Sequence, residues 1–431
     1  MTRTLEWVLL AGAAALAALG VALVGLAGGR PIDAAVGLTF ATIAATFGAW
    51  HVAVRRFAPG ATADLLPPVA LLFVFGLVEI HRLNGFRADL QRWWLIIGTG
   101  VGILVLAWLS RVGIDALRRY RNLVLFGAVG LLLLPMLPSD GPLPIRGIEV
   151  NGSRLWIGID LGLAEVNFQP GELAKVLLVV FLASYLADRQ HALLGARRKL
   201  GRFELPEPRL LLPLLLAWLA SLGVLVVQRD LGASLLLFAV FMAMLYGATG
   251  ESRYVVTGVV LTVAGGVTSW FLFDHVQRRV TAWIRPFSDF EGAGYQIAQG
   301  LFGLGSGSLA GAGPGLGRPD LIPNAITDFV FAAVGEEFGF AGTVAVLAAY
   351  ALVVAVGFGI ALRARDRFEK LLAIGLTATF GIQTLLIIGG ILRVVPLTGI
   401  ALPFMSYGGS SLLGNSVLVA TLLRVSHEGR P

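Results

Sequence analysis

Apolar runs close to the ~20 residues that a helix needs to cross ~30 Å of hydrocarbon recur along the whole chain. Twelve fit a spanning helix, at about 7–28, 35–54, 64–81, 94–110, 122–138, 172–187, 210–227, 231–248, 254–273, 331–362, 371–390 and 411–423. With 57% hydrophobic and only 14% charged residues, and a mean hydropathy of +0.82, a soluble domain is excluded. The expected fold is an all-α polytopic membrane protein. Trp7 to Gly28 is longer than the apolar region of a secretory signal and a second span follows at once, so it reads as a retained first helix. The tenth run is overlong, and its first part suits an interfacial segment better than a span.

Charge sets the orientation. A net charge of +7 would suit nucleic acid, but in a membrane protein an arginine excess has a simpler origin in loops held inside the cell, and no nucleic-acid partner is expected. Placing both termini in the cytoplasm puts 20 of the 33 Lys and Arg residues on that side, in mostly short segments. Two long connections, about 139–171 and 274–330, then face outward. There is no cysteine, so thiolate chemistry and Cys-ligated metals are excluded, and no two histidines have metal-ligand spacing.

The outer loops mix apolar residues with Arg, Gln, Asp and Gly, unlike a solvated linker, and are expected to fold back onto the membrane face. Eight of the 18 residues from Gly300 to Gly317 are glycine. That density suits either a nest of backbone N–H groups around an anion or a flexible turn region. Glu172 and Lys175 lie three apart on one face of the sixth span, which suits a structural ion pair and a functional cavity equally. Arg229 and Asp230 interrupt two apolar runs and read as a polar hairpin.

Three carboxylates stand in or beside the apolar stretch "PNAITDFVFAAVGEEFGF": Asp328, Glu336 and Glu337. Thr327 can cap a helix starting there, with Asp328 in its first turn. Asp328 also lies beside Phe329 and Phe331 at the outer boundary, where an apolar wall raises a carboxylate's pKa and strengthens it as a base. Glu336 and Glu337 fall more than two turns, ~12 Å, further along a continuous helix, pointing about 100° apart. One of them is expected to bond to the backbone or to a cation near Lys175.

The blocks "RLWIGI…FQPGELAK", "QRDLGASLL", "GAGYQIAQ…GSGSLAGAG", "PNAITDFVFAAVGEEFGF" and "PLTGIALPFMSYGGSSLL" resemble, in order and spacing, those of the SEDS family, named for shape, elongation, division and sporulation and including RodA, FtsW and SpoVE. The resemblance runs from about Leu65 to Ser426. It implies a ten-helix glycosyltransferase core, residues 57–431, preceded by an additional helix pair, residues 1–56. That core would polymerise lipid II into the growing glycan strand at the outer face of the bacterial cytoplasmic membrane, beside a class B penicillin-binding protein transpeptidase and the elongation or division machinery. An elongation-type member is favoured over a division-type one.

The same resemblance makes Asp328 the catalytic residue and places Glu172 and Lys175 in a central polar cavity. Gly171 and Arg229 stand where the family pattern has Ser and Pro, changes that bear on local geometry. Undecaprenyl diphosphate is already a good leaving group, whereas the acceptor GlcNAc 4-hydroxyl needs a base, the role expected of Asp328. Its alternative role is as a ligand to a divalent cation, Mg2+ or Mn2+, on the diphosphate. Arg154, Lys175, Arg278 and Arg279 suit neutralisation of diphosphate charge. Gln299, Ser406, Gly408, Gly409 and Ser410 complete the candidate substrate-binding or cavity set, with "SYGGSS" read as a tight outer loop and helix start whose packing role outweighs substrate contact. Two other classes remain open at this level: a lipid II flippase and a structural scaffold for a transpeptidase.

Overall fold

The computed structural model describes residues 1–139, 144–150, 153–160, 165–195, 197–200, 203–206, 219, 223, 228, 230–292 and 294–429. Among them are fourteen α-helices. The first six are α1 (Arg3–Ala27), α2 (Ala34–Phe57), α3 (Leu66–Leu83), α4 (Gly85–Val112), α5 (Asp115–Arg119) and α6 (Arg121–Leu133). Then follow α7 (Gly171–Gly195), α8 (Leu231–Thr249), α9 (Ser252–Leu272), α10 (Asp274–Ile284) and α11 (Tyr295–Ser306). The last three are α12 (Val330–Leu362), α13 (Arg367–Ile391) and α14 (Gly409–Glu428).

Eight of these, α1, α2, α3, α4, α8, α9, α12 and α13, are long and apolar enough to cross a membrane. The chain is a multi-pass membrane protein. Helices α7 and α14 and the shorter apolar segment Arg121–Met136 cover three more of the expected runs. The run at 210–227 lies, save Leu219 and Gly223, outside the described residues, as does Arg229.

Short polar residues set the helix starts. The Thr2 hydroxyl accepts from the Leu5 N–H, Asp33 from the Ala35 N–H, Asn84 from the Arg87 N–H and Asp230 from the Ala233 N–H, each satisfying a donor that the helix leaves without a partner. Helices α3 and α13 are mostly buried, whereas α9 is almost wholly exposed, as suits a helix bathed in lipid. The pair α1–α2 packs on α3 and α4. Close approach depends on missing side chains: a Cβ on Gly76 of α3 would lie 2.0 Å from the Met405 carbonyl oxygen.

Three short strands in the connection at 139–171 form a small antiparallel sheet. Strands β1 (Ile145–Val150), β2 (Ser153–Asp160) and β3 (Glu165–Phe168) pair in that order, with Ile157 opposite Phe168. A hairpin of β4 (Arg197–Leu200) and β5 (Phe203–Pro206) follows α7.

The overlong tenth run, whose first part was expected to be interfacial, is broken. Gly339, at φ 65° and ψ −162°, interrupts α12 and divides it into a short first piece and a long second one. A helix broken at membrane depth leaves backbone groups that only protein can satisfy, and here the glycine-rich loop supplies the partners. The Ala312 and Gly313 N–H groups donate to the Glu336 and Glu337 carbonyls, and the Phe340 and Ala341 N–H groups donate to Ser308 and Leu309. Gly339 occupies backbone space open essentially to glycine alone, and a Cβ there would lie 2.3 Å from the Gly311 nitrogen. Gly339→Ala is therefore expected to cost about 3 kcal/mol or more, read as a lowered midpoint of thermal unfolding in detergent, whereas Leu substituted for the exposed Phe340 changes little.

Candidate functional site

Four of the five sequence blocks meet at one cavity of about 130 Å³. Leu155 and Trp156 reach it from β2, Glu172 and Lys175 from the start of α7, and Gln228 and Asp230 from the turn before α8. Thr327 and Asp328 come from the turn before α12, and Tyr407, Gly408, Ser410 and Ser411 from the start of α14. Its volume is below the 300–1,000 Å³ of sites that engulf a drug-sized ligand.

The buried Lys175 Nζ donates to Glu172 Oε1 at 2.9 Å and to Gln383 Oε1 at 2.9 Å. Gln383 Nε2 in turn donates to the carbonyl of Ala401, another wall residue. The pair is thus a hydrogen-bonded ion pair and a cavity wall at once. Asp230, expected in a plain polar hairpin, also faces the cavity. Burial pushes its carboxyl above the usual range, opposed by the Ala233 N–H bond and Lys175.

Asp328 does not sit in a helical first turn. Helix α12 begins only at Val330, and the Thr327 hydroxyl donates to the Asn324 carbonyl at 3.2 Å. The expected Thr327 cap is therefore replaced by a tight turn in which Asn324 has φ 56° and receives the Thr327 and Phe329 N–H groups on its carbonyl. The start of α14 holds that turn in place. Ser406 Oγ donates to the Thr327 carbonyl and the Tyr407 N–H donates to the Ile326 carbonyl at 2.8 Å. Gln91 of α4 braces the same segment, donating to the Ser406 carbonyl and accepting from the Gly408 N–H. Burial raises the Asp328 carboxyl to about 6, against the opposing pull of the Arg279 guanidinium and the Thr327 hydroxyl. Arg279, on α10, is fixed by the Leu397 and Thr398 carbonyls at 3.4 and 3.0 Å.

The other sequence candidates separate. Ser410 Oγ accepts from the Gln169 N–H at 2.8 Å, tying α14 to the start of α7. Gly409 permits contact with Trp94, whose indole would be 2.0 Å from a Cβ at that position. Arg278 is exposed and makes no bond among the described residues. Arg154 pairs with Glu149 at 3.3 Å on the exposed face of the sheet, and neither it nor Gln299 lines the cavity.

Glu336 and Glu337 act away from Asp328. Glu336 Oε1 accepts from the Arg318 N–H at 2.7 Å and Glu337 Oε2 from the Gly315 N–H at 2.8 Å. Backbone bonding was expected of one and is made by both. The cation beside Glu337 is Arg82 at 3.3 Å rather than Lys175. The glycine-rich nest therefore holds an anion, but the anion is the protein's own. Sequence reasoning passed over Gln91, Arg82 and Gln383; each is a polar side chain in or beside an apolar run, a signal that was weighed there only for the more conspicuous charges.

The donor set does not make a resident-metal site. Among the described residues no three His, Cys, Asp or Glu side chains converge. Asp328 has Arg279 for its charged neighbour instead.

Fold and cavity together define a multi-pass membrane protein with a mostly buried acid of raised pKa at a largely apolar cavity that also holds a buried Glu–Lys pair. The family model for cell cycle proteins of the FtsW, RodA and SpoVE type matches residues 63–430, and the chain belongs to that family. Helices α1 and α2 precede the matched range. The chain is 42% identical over 405 residues to the peptidoglycan glycosyltransferase RodA of Mycobacterium tuberculosis, covering 91% of this chain and 83% of that protein. It is 32% identical to the probable peptidoglycan glycosyltransferase FtsW of Geobacter metallireducens, over 84% and 93% of the two chains. Among solved structures, a chain of a peptidoglycan synthase complex described as coordinating polymerization and crosslinking superposes with a TM-score of 0.66 at 25% identity, covering 86% of this chain and 98% of that one. The fold of Thermus thermophilus RodA is also similar, with a TM-score of 0.58 over 85% and 96% of the two chains.

Raising an aspartate from 3.8 to about 6 means that its charged form costs the folded state about 3 kcal/mol at neutral pH. The sign follows from the raised value: this cost is absent below pH ~4, grows between the unfolded and folded pKa values, and is complete above the folded one. Asp328→Asn is accordingly expected to raise the unfolding midpoint at pH 7.5 and to change it little at pH 4, measured by thermal scans in detergent.

Proposed function

We infer that the protein is a peptidoglycan glycosyltransferase that polymerises lipid II into glycan strands for elongation and cell shape, in the bacterial cytoplasmic membrane with both termini inside. The observation that carries the mechanism is Asp328, held in a turn at the cavity with its pKa raised to about 6. A base tuned near the working pH is charged when needed yet still basic. Asp328 takes the proton from the acceptor 4-hydroxyl as that oxygen attacks the anomeric carbon of the donor. The bond to undecaprenyl diphosphate breaks and the configuration inverts in a single displacement.

Lys175 keeps donor capacity beyond its bonds to Glu172 and Gln383, and with Arg279 it places positive charge near the departing diphosphate. Gln228 and Tyr407 offer hydrogen bonds to sugar hydroxyls along the wall. The alternative role of Asp328, in place of the base, is as a protein ligand to a Mg2+ or Mn2+ ion carried on the diphosphate. Similarity to the elongation-type relative exceeds that to the division-type one, which supports the elongation role. The likeness to a chain of a synthase complex supports a crosslinking partner, for which a class B penicillin-binding protein is our reading.

Purified protein in liposomes with lipid II tests this. Wild type is expected to form polymer and Asp328→Ala none; translocation of lipid without polymer by wild type would instead make the protein a flippase. Since the base works deprotonated, the rate should rise as pH passes through about 6 and level off above it, the reverse of what a general acid gives. Arg279→Gln removes a charge that holds Asp328 down, so the acid limb of its profile should move to higher pH.

A further inference from the structure

A second cavity, of about 190 Å³, lies between the α1–α2 pair and the body of the molecule. Nothing in the reaction uses it. Its polar lining is Arg30 and Asp33 from the connection between α1 and α2, His81 and Arg82 from the end of α3, and the backbone at Gly315. Its apolar lining is Val21, Val24, Ile32 and Val36.

The polar groups there are short of anionic partners. Arg30 is exposed, and its side chain makes no hydrogen bond or ion pair among the described residues. The His81 Nδ1 atom is buried without a hydrogen-bond partner. Arg82 spends Nε on Glu337 and one terminal nitrogen on the Gly317 carbonyl, leaving the other uncommitted. The carboxylate that faces them, Asp33, already accepts from the Ala35 N–H as the cap of α2. Two guanidinium groups therefore converge on a space with room for several waters, each ~30 Å³ in the liquid, bounded on one side by aliphatic side chains.

We propose that this cavity binds the phosphate of an anionic phospholipid, with Arg30 and Arg82 as its contacts and the aliphatic wall against the start of an acyl chain. Guanidinium forks match phosphate oxygens in geometry as well as charge. The site also gives the helix pair outside the family core a physical task. Its occupant shares Arg82 with Glu337, and Gly315, whose N–H bonds Glu337, packs on Ala27 and Val24 of α1.

Native mass spectrometry of protein equilibrated with phosphatidylglycerol and phosphatidylcholine tests the proposal. Wild type should retain phosphatidylglycerol in preference to phosphatidylcholine. Arg30→Gln, at an exposed position, should lower that retention about tenfold, the worth of one charge-assisted hydrogen bond. Asp33→Asn keeps a capping side chain but removes the facing negative charge, so it should raise retention. Equal retention of the two lipids by wild type, or no change in either variant, overturns the proposal. Displacement of phosphatidylglycerol from wild type by millimolar inorganic phosphate overturns the lipid as the source and makes the cavity a free-phosphate site.

Discussion

The break in α12 at Gly339 is the constraint on which the glycine-rich loop and the turn before the helix depend. A membrane helix cannot simply stop, because its freed carbonyl and N–H groups find no water in hydrocarbon. The loop from Ser308 to Gly313 closes both sides of the break, and the Glu336 and Glu337 side chains then hold the next few residues through Gly315 and Arg318. Once the short first piece of α12 is fixed, so is the turn that precedes it, and that turn carries Asp328. The glycines are needed because two backbones must lie nearly in contact there, leaving no room for a Cβ at Gly307, Gly311 or Gly339.

Asp328 illustrates how position and energy are joined. Its carboxylate is unfavourable where it is, being largely removed from water with Arg279 as its main electrostatic relief. Three separate segments share the task of holding it: the asparagine-centred turn, the Ser406–Tyr407 segment and, behind that, Gln91. A side chain that destabilises the fold yet is buttressed from several sides fits a site maintained for chemistry rather than for packing.

Much of this was legible in the sequence because membrane hydropathy is a strong signal. The helices α1 to α4, α8, α9, α12 and α13 fall close to the apolar runs, and the excess length of one run set its first part apart, though not the break at Gly339. The pairing of Glu172 with Lys175 followed from helical spacing alone. The sheet at 145–168 escaped notice because its strands are short and sit in a loop whose composition gives no clear alternation. The Thr327 cap failed for a reason of competing local bonds: the hydroxyl found the Asn324 carbonyl before any helix began. Long-range partners such as Arg82 with Glu337, 255 residues apart, leave no local trace in a sequence.

The bond from Ser406 to the Thr327 carbonyl joins residues 79 positions apart. Chains of this kind enter the membrane progressively as they are made, and early segments must wait for late ones. The Asp328 turn is therefore threaded out well before its supporting segment is synthesised. During that interval the acid exists without its brace, so the turn that carries it is completed only when the Ser406–Tyr407 segment arrives, and a local feature of the chain waits on a distant one.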